Sequence, residues 1–152
     1  MGLEIIEGDL TECKGVIIHQ VNDIGKMGSG VAKTIREKFP QHYVDYMKQK
    51  DERGLLLGDL VVTKLNDIVI IGMISQKGVK WLGNQTPISY TAFETCLVKI
   101  NRLHRRNPNV NFYMPYGIGC VRGGGNWYKV SGMIERLCPS ITLVKYNGEV
   151  NK

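Results

Sequence analysis

The stretch Val16–Phe39, VIIHQVNDIGKMGSGVAKTIREKF, constrains the fold of this 152-residue chain more than any other. Val16, Ile17 and Ile18 form a short apolar run rich in β-branched residues, bounded by Gly15 and the polar Gln20–Asp23 segment. Such a run reads as a buried strand rather than a helix. Asn22, Asp23 and Gly25 break it, and Gly28-Ser29-Gly30 then precedes Val31, Ala32, Ile35 and Phe39 at helical spacing. Pro40 is expected to end that helix. A strand that runs through glycines into a helix N-terminus makes an anion site, because the first helical N–H groups lack partners and carry partial positive charge. The same glycines also suffice for a tight turn, and this stretch alone leaves both readings open.

The remaining chain alternates strands and helices. Leu3–Glu7 reads as a first strand, Gly8-Asp9-Leu10 as a turn and Thr11-Glu12 as a short connection. Gln41–Lys50 predicts a second helix with Tyr43, Tyr46 and Met47 on its core face. Leu56–Thr63 and Ile68–Ser75 are strand-like, joined by a hairpin turn at Leu65-Asn66-Asp67. Gln76–Pro87 is a long loop, a kind of segment that in compact domains often carries function. Ile88–Arg105 holds the longest helical pattern, stopped by Asn107-Pro108, and Val110–Met114 is the next strand. Pro115–Gly125, PYGIGCVRGGG, is a second glycine-rich loop. Asn126 is suited to cap a helix from Trp127 to about Leu137, Ile141–Tyr146 is the last strand, and Asn147–Lys152 is a polar tail.

This order predicts one α/β domain over residues 1–152, three layers deep, around a mixed, largely parallel sheet. Ligands of such sheets bind beyond the C-terminal strand ends. Both glycine loops follow a strand and precede a helix, so both are expected on that rim, where together they could hold a diphosphate. The GxGxxG spacing of dinucleotide folds and the GKS or GKT ending of a P-loop are absent.

Charge and cysteines narrow the partners. The net charge of +6 favours an anionic partner such as a nucleotide or nucleic acid, although Arg102, Arg105, Arg106 and Lys48–Lys50 also read as solvated helix ends. Cys13, Cys96, Cys120 and Cys138 show no CxxC spacing, which argues against zinc and for free thiols. No cofactor or metal is expected. Leu3–Ile6 is interrupted by Glu4 and followed by Glu7 and Asp9, so no export signal is expected. No apolar run is long enough to span a membrane. A cytoplasmic monomer is the expectation, in the host cytoplasm if the chain is phage-encoded.

Three segments together resemble the macrodomain family. They are Gly8-Asp9-Leu10, then Val21-Asn22 with Lys26-Met27-Gly28-Ser29-Gly30-Val31-Ala32, and Met114-Pro115 through Gly119-Cys120 to Gly124-Gly125-Asn126-Trp127. The branch they are most similar to contains ADP-ribose-1″-phosphate phosphatases and terminal ADP-ribose protein glycohydrolases, and includes phage and bacterial proteins. The resemblance implies an α/β/α macrodomain with an ADP-ribose cleft. It gives Asp9 the adenine amino group as hydrogen-bond donor, places Leu10 along the adenine pocket and sets Tyr146 to stack nearby. It makes Lys26 and Met27–Val31, with Gly28, Ser29 and Gly30, the cradle of one phosphate. Pro115 and Gly117–Val121, with Ile118, Gly119 and Cys120, would cradle the other and close over the distal ribose, next to Asn22.

At the catalytic positions the chain departs from that branch. Gln76 stands at the register of the glycohydrolases' nucleophilic lysine, with Lys77 one residue later, where its side chain would turn to the other face. Asn126 stands where phosphatase-like relatives carry an aspartate, and it can orient water or cap a helix. Asn22 and Asp23 are the other candidates for handling a water, while His19 reads as a core histidine. The resemblance therefore implies ADP-ribose binding with slow, water-mediated hydrolysis of a derivative, the 1″-phosphate first. The alternatives are a non-catalytic ADP-ribose reader and a glycohydrolase acting on ADP-ribosylated protein or nucleic acid.

Overall fold

A computed structural model describes residues 2–78, 87–120 and 123–146. The elements run β1 Glu4–Gly8, β2 Gly15–Asn22, α1 Gly30–Lys38, α2 Pro40–Arg53, β3 Leu60–Lys64, β4 Ile68–Gln76, α3 Tyr90–Arg106, β5 Phe112–Pro115, α4 Trp127–Leu137 and β6 Ile141–Tyr146. A one-turn 3-10 helix, Leu10–Glu12, follows β1. The six strands form one sheet in the order β1-β6-β5-β2-β4-β3. Every pairing is parallel except the β3–β4 hairpin. The mixed, largely parallel sheet is therefore as expected.

The two faces of the sheet are packed separately, which makes the three layers. On one face Phe93, Leu97 and Ile100 of α3, with Val130 and Ile134 of α4, meet Ile18, Ile71, Phe112 and Leu143. On the other face Ile35 of α1 packs with Ile17 and Ile70, and Tyr46 of α2 packs with Val21, Val61 and Ile74. Alternation along β2 produces the split: Ile17, His19 and Val21 face α1 and α2, while Val16 and Ile18 face α3 and α4.

Several boundaries move, each for a local reason. β2 does not stop at Ile18. It continues through His19, Gln20, Val21 and Asn22, because β4 supplies backbone partners along this whole length. α1 ends just ahead of Pro40 as expected, and the second helix starts one residue early because Pro40 itself opens α2 at its first turn, where its missing N–H costs nothing, with Phe39 closing α1 and opening α2 at once. Leu56 and Leu57 are exposed and precede a turn at Gly58, so β3 begins only at Leu60. Ser89 caps α3 through Ala92 N at 3.2 Å, which leaves Ile88 outside the helix and bridged to Gln76. Val110 lies in the turn after α3, and β5 starts at Phe112. Thr11 and Glu12 are helical rather than an extended connection. β6 and α4 have the expected bounds.

The strand order reverses direction between β2 and β5. From β2 the chain crosses over through α1 and α2 to β3 and β4; from β5 it crosses through α4 to β6 on the other side. The two strands are in register only at Val16–Phe112 and Ile17–Tyr113. β5 then ends at Pro115 while β2 runs on to Asn22, and the sheet parts between them. That parting is the topological switch point at which ligands of open α/β sheets bind.

Candidate functional site

A cleft of about 580 Å³ occupies the switch point. Its floor is the free end of β2, from His19 to Asn22, with Gln76 from β4. One wall is the first glycine loop and the start of α1: Lys26, Gly28, Ser29, Gly30, Val31 and Ala32. The other is the second loop: Pro115, Tyr116, Gly117, Ile118, Gly119 and Gly123. The two glycine-rich loops thus face each other, as their positions after β2 and β5 predicted.

Asn22 builds the first wall. Its Oδ1 accepts from the Ile24 and Lys26 backbone N–H groups, both at 3.1 Å, and its Nδ2 donates to the Lys26 carbonyl at 2.6 Å. The Tyr46 hydroxyl lies 2.8 Å from the same Oδ1 and 2.6 Å from the Asn22 carbonyl. Burial raises the Tyr46 phenol well above its ordinary pKa, so it stays a donor. Met27, 1% exposed, drops its side chain into the core beside Val21 and Tyr46 and, against expectation, is not among the residues that line the cleft. Ser29 occupies the N-cap of α1 without a side-chain cap bond, and the first turn carries no acid. The leading N–H groups of α1 therefore point into the cleft unmasked, with Lys26 alongside.

The second wall is a glycine loop folded on itself. Gly125 N donates to the Gly119 carbonyl at 2.9 Å, and Ile88 N donates to the Gly123 carbonyl at 2.9 Å. Gly119 has φ +79°, and a Cβ there would sit 2.9 Å from Ile88 Cδ1. At Gly123 a Cβ would meet the Gly119 oxygen at 2.6 Å and Gln20 Oε1 at 2.9 Å. Gln20 is held by donating to Ser75 Oγ at 2.9 Å. These contacts let bare backbone approach a ligand closely.

Not every expected residue reaches the cleft. Asn22, Lys26, Gly28, Ser29, Gly30, Val31, Gln76, Pro115, Gly117, Ile118 and Gly119 all line it. Asp23 does not: it reaches the segment just after β4, accepting from Gly78 N at 2.8 Å. Asn126 caps α4 through Lys129 N at 3.2 Å and is also off the cleft, so of its two expected roles the cap is the one built. Cys120, within the second loop, packs toward the core and does not line the cleft, its thiol pushed up to about 11 by burial. Asp9 caps its own 3-10 turn, accepting from Thr11 N at 2.9 Å and Thr11 Oγ1 at 2.7 Å. Leu10 packs under it against Ile17 and Ile35. Tyr146 stands beside Gly8 at the end of β6, 60% exposed. Asp9 and Tyr146 thus share the far end of the same rim. Val121 lies outside the described residues.

His19, Gln20, Val21, Ala32, Tyr116 and Gly123 line the cleft without having been expected there. Tyr116 and Gly123 lie inside the second loop already singled out, so loop membership was their signal. Among the described residues lining the cleft there is no carboxylate, and the titratable groups are His19, Lys26 and Tyr116. The lining is suited to an anionic ligand. Among the described residues no cluster of His, Cys, Asp or Glu could hold a metal, all four cysteines are free, and no helix is long and apolar enough to cross a membrane.

No curated protein matches the chain. Solved structures do. A protein of unknown function from Bacteroides thetaiotaomicron is 26% identical, with a TM-score of 0.86 over 95% of this chain and 98% of that one. A macrodomain protein from Streptomyces coelicolor is 24% identical, with a TM-score of 0.76 over 97% of this chain and 99% of that one. Thermosipho africanus DarTG in complex with ADP-ribose is 17% identical, with a TM-score of 0.78 over 98% of this chain and 43% of that one. The model of the Macro domain family matches residues 18–134, which span the cleft and most of both faces of the sheet, and the chain belongs to the macrodomain family.

Proposed function

We propose that the cleft binds ADP-ribose and hydrolyses a derivative of it, ADP-ribose-1″-phosphate first. The observation that carries the reading is the opposition of two bare-backbone loops across the parted β2 and β5, with Lys26 the one cation and no carboxylate among the described lining residues. Opposed amide cradles suit a diphosphate, because oriented N–H groups neutralise charge without side chains. Asp9 and Tyr146 share the rim farther along, which supports assigning the adenine end to them. ADP-ribose in the Thermosipho africanus DarTG structure is in keeping with this ligand.

The chemistry proposed is attack by water on the 1″-phosphorus with cleavage of its bond to the C1″ oxygen, which leaves as the hydroxyl of ADP-ribose on taking a proton from the attacking water, while the loop amides stabilise the charge that develops and inorganic phosphate is released. Gln76 lines the cleft and Lys77 does not, which argues against a covalent lysine intermediate. Non-catalytic reading of ADP-ribose is the rival, and one observation favours it: Asp23 and Asn126 are both engaged elsewhere, and the Asn22 oxygen is fully used in bracing its loop.

Calorimetric titration with ADP-ribose, against AMP and NAD, tests the ligand. Saturable binding of ADP-ribose tighter than of either comparator is the expected result, and no binding at millimolar ligand overturns the reading. Phosphate release from ADP-ribose-1″-phosphate, lost in Asn22→Ala, separates the hydrolase from the reader.

A further inference from the structure

A buried polar chain runs from the cleft to α2 and has no part in the function proposed above. His19 on β2 and His42 on α2 meet with their Nε2 atoms 2.9 Å apart. His42 Nδ1 lies 2.8 Å from Thr63 Oγ1 on β3. The Thr63 hydroxyl donates to Asp45 Oδ2 at 2.6 Å. The imidazoles are 1% and 0% exposed. Burial lowers both, with the neighbouring ring adding to it at His19, and His42 falls to about 4, so both are neutral at pH 7.

The proton order of this chain is determined by its far end. An ionised carboxylate only accepts, and Thr63 has a single hydroxyl proton, so that proton lies on the bond to Asp45. Thr63 Oγ1 must then accept from His42 Nδ1–H. A neutral imidazole carries one N–H, so His42 Nε2 is bare and accepts from His19 Nε2–H. His19 Nδ1 is left as a bare lone pair. It is the one buried side-chain nitrogen or oxygen among the described residues that has no partner. An acceptor buried without a partner is costly and calls for an explanation. His19 is also a lining residue of the cleft.

We propose that His19 Nδ1 is a hydrogen-bond acceptor built into the cleft floor for a hydroxyl of a bound ribose, and that Asp45, outside the cleft, is the positioning residue that keeps it bare. The ribose rests on the ligand class proposed above. A bare imidazole nitrogen attracts O–H and repels phosphate oxygen. It therefore assigns the sugar to this part of the floor and leaves the phosphates to the glycine loops. Nδ1 is buried and without a partner among the described groups, so a ribose hydroxyl reaches it only as binding displaces the cleft lining beside His19.

Imidazole ¹⁵N–¹H NMR on the free protein at neutral pH reads the proton order directly. Wild type is expected to show His19 as a single tautomer with Nε2 protonated and Nδ1 bare. Asp45→Ala frees Thr63 to donate the other way, so part of the His19 population should then carry its proton on Nδ1. A protonated Nδ1 in wild type, or a tautomer unmoved by Asp45→Ala, overturns the proposal. Saturating ADP-ribose should shift the Nδ1 resonance of wild type, and Asp45→Ala should bind ADP-ribose about tenfold more weakly, the scale of one lost hydrogen bond. His19→Gln, smaller and still polar, serves as a second variant should Asp45→Ala unfold. Binding without a shift at Nδ1, or equal binding by these variants, overturns the acceptor role. Absence of any ADP-ribose binding by wild type overturns the ligand class, while the free-protein tautomer still decides the proton order.

Discussion

The Tyr46 hydroxyl on α2 lies 2.8 Å from the Asn22 side-chain oxygen at the end of β2. Through this contact a helix on one face of the sheet sets the shape of a loop on its rim. The asparagine holds Ile24, Lys26 and the Lys26 carbonyl, and the buried phenol holds the asparagine. Tyr46→Phe leaves both Asn22 oxygens short of a buried donor, at a cost of about 1–3 kcal/mol. Chemical denaturation should show that loss. ADP-ribose titration should show a weaker affinity, because the loop amides are no longer held in place. A variant with wild-type stability and affinity would mean that the loop holds its own shape.

Gly119→Ala tests the second wall. The substitution places a side chain at φ +79° and brings a Cβ to 2.9 Å from Ile88 Cδ1. Backbone strain alone costs on the order of 1–2 kcal/mol. The double variant Gly119→Ala with Ile88→Ala relieves the contact but not the strain. Neither is expected to recover wild-type ADP-ribose affinity in a calorimetric titration, whereas Gly28→Ala, where a Cβ meets nothing within 4 Å, should remain folded and stable.

The fold was legible because hydrophobic period and glycine placement point the same way at most elements. β6 and α4 have the expected bounds, since Ile141, Leu143 and Val144 give a buried β-branched and apolar run and Asn126 directly precedes the helical pattern that begins at Trp127. The end of β2 was not legible. His19, Gln20 and Asn22 look like a break, and only pairing with β4 makes them strand. The same tertiary pairing hid the cleft floor. Polar residues there are placed by partners distant in sequence, Gln20 by Ser75 and His19 by His42. Asn126 was ambiguous for a related reason. Its residue type suits both a cap and a catalytic position, and only its contact with Lys129 N separates them.

The buried histidine pair makes stability depend on acid. The His42 pKa falls from the ordinary 6.5 to about 4 in the folded protein, chiefly through burial, and His19 shifts in the same direction. The unfolded chain therefore binds more protons between these values. Stability is full above about pH 6.5 and falls as pH drops toward 4, by an amount on the order of 3 kcal/mol for His42 alone. Urea midpoints at pH 7, 5.5 and 4.5 should decline in that order. Part of the slope should vanish in His42→Gln, which has no proton to gain. A midpoint constant down to pH 4.5 would show that neither ring resists charging.

Lys77→Ala separates covalent from water-mediated chemistry. Lys77 follows the last residue of β4, and its backbone N–H donates to the Pro87 carbonyl at 2.6 Å. Gln76, one residue earlier, lines the cleft, while Lys77 is exposed and does not. Successive residues at a strand end point to opposite faces, so the amine does not replace the Gln76 amide in the cleft. Lys77→Ala should leave ADP-ribose affinity and phosphate release from ADP-ribose-1″-phosphate within about twofold of wild type, because a surface lysine away from bound groups contributes little. Gln76→Ala should weaken binding more. Borohydride reduction during turnover on an ADP-ribosylated protein should trap no adduct, and a Lys77 adduct found by mass spectrometry would show that the β4 loop reorganises to deliver a nucleophile.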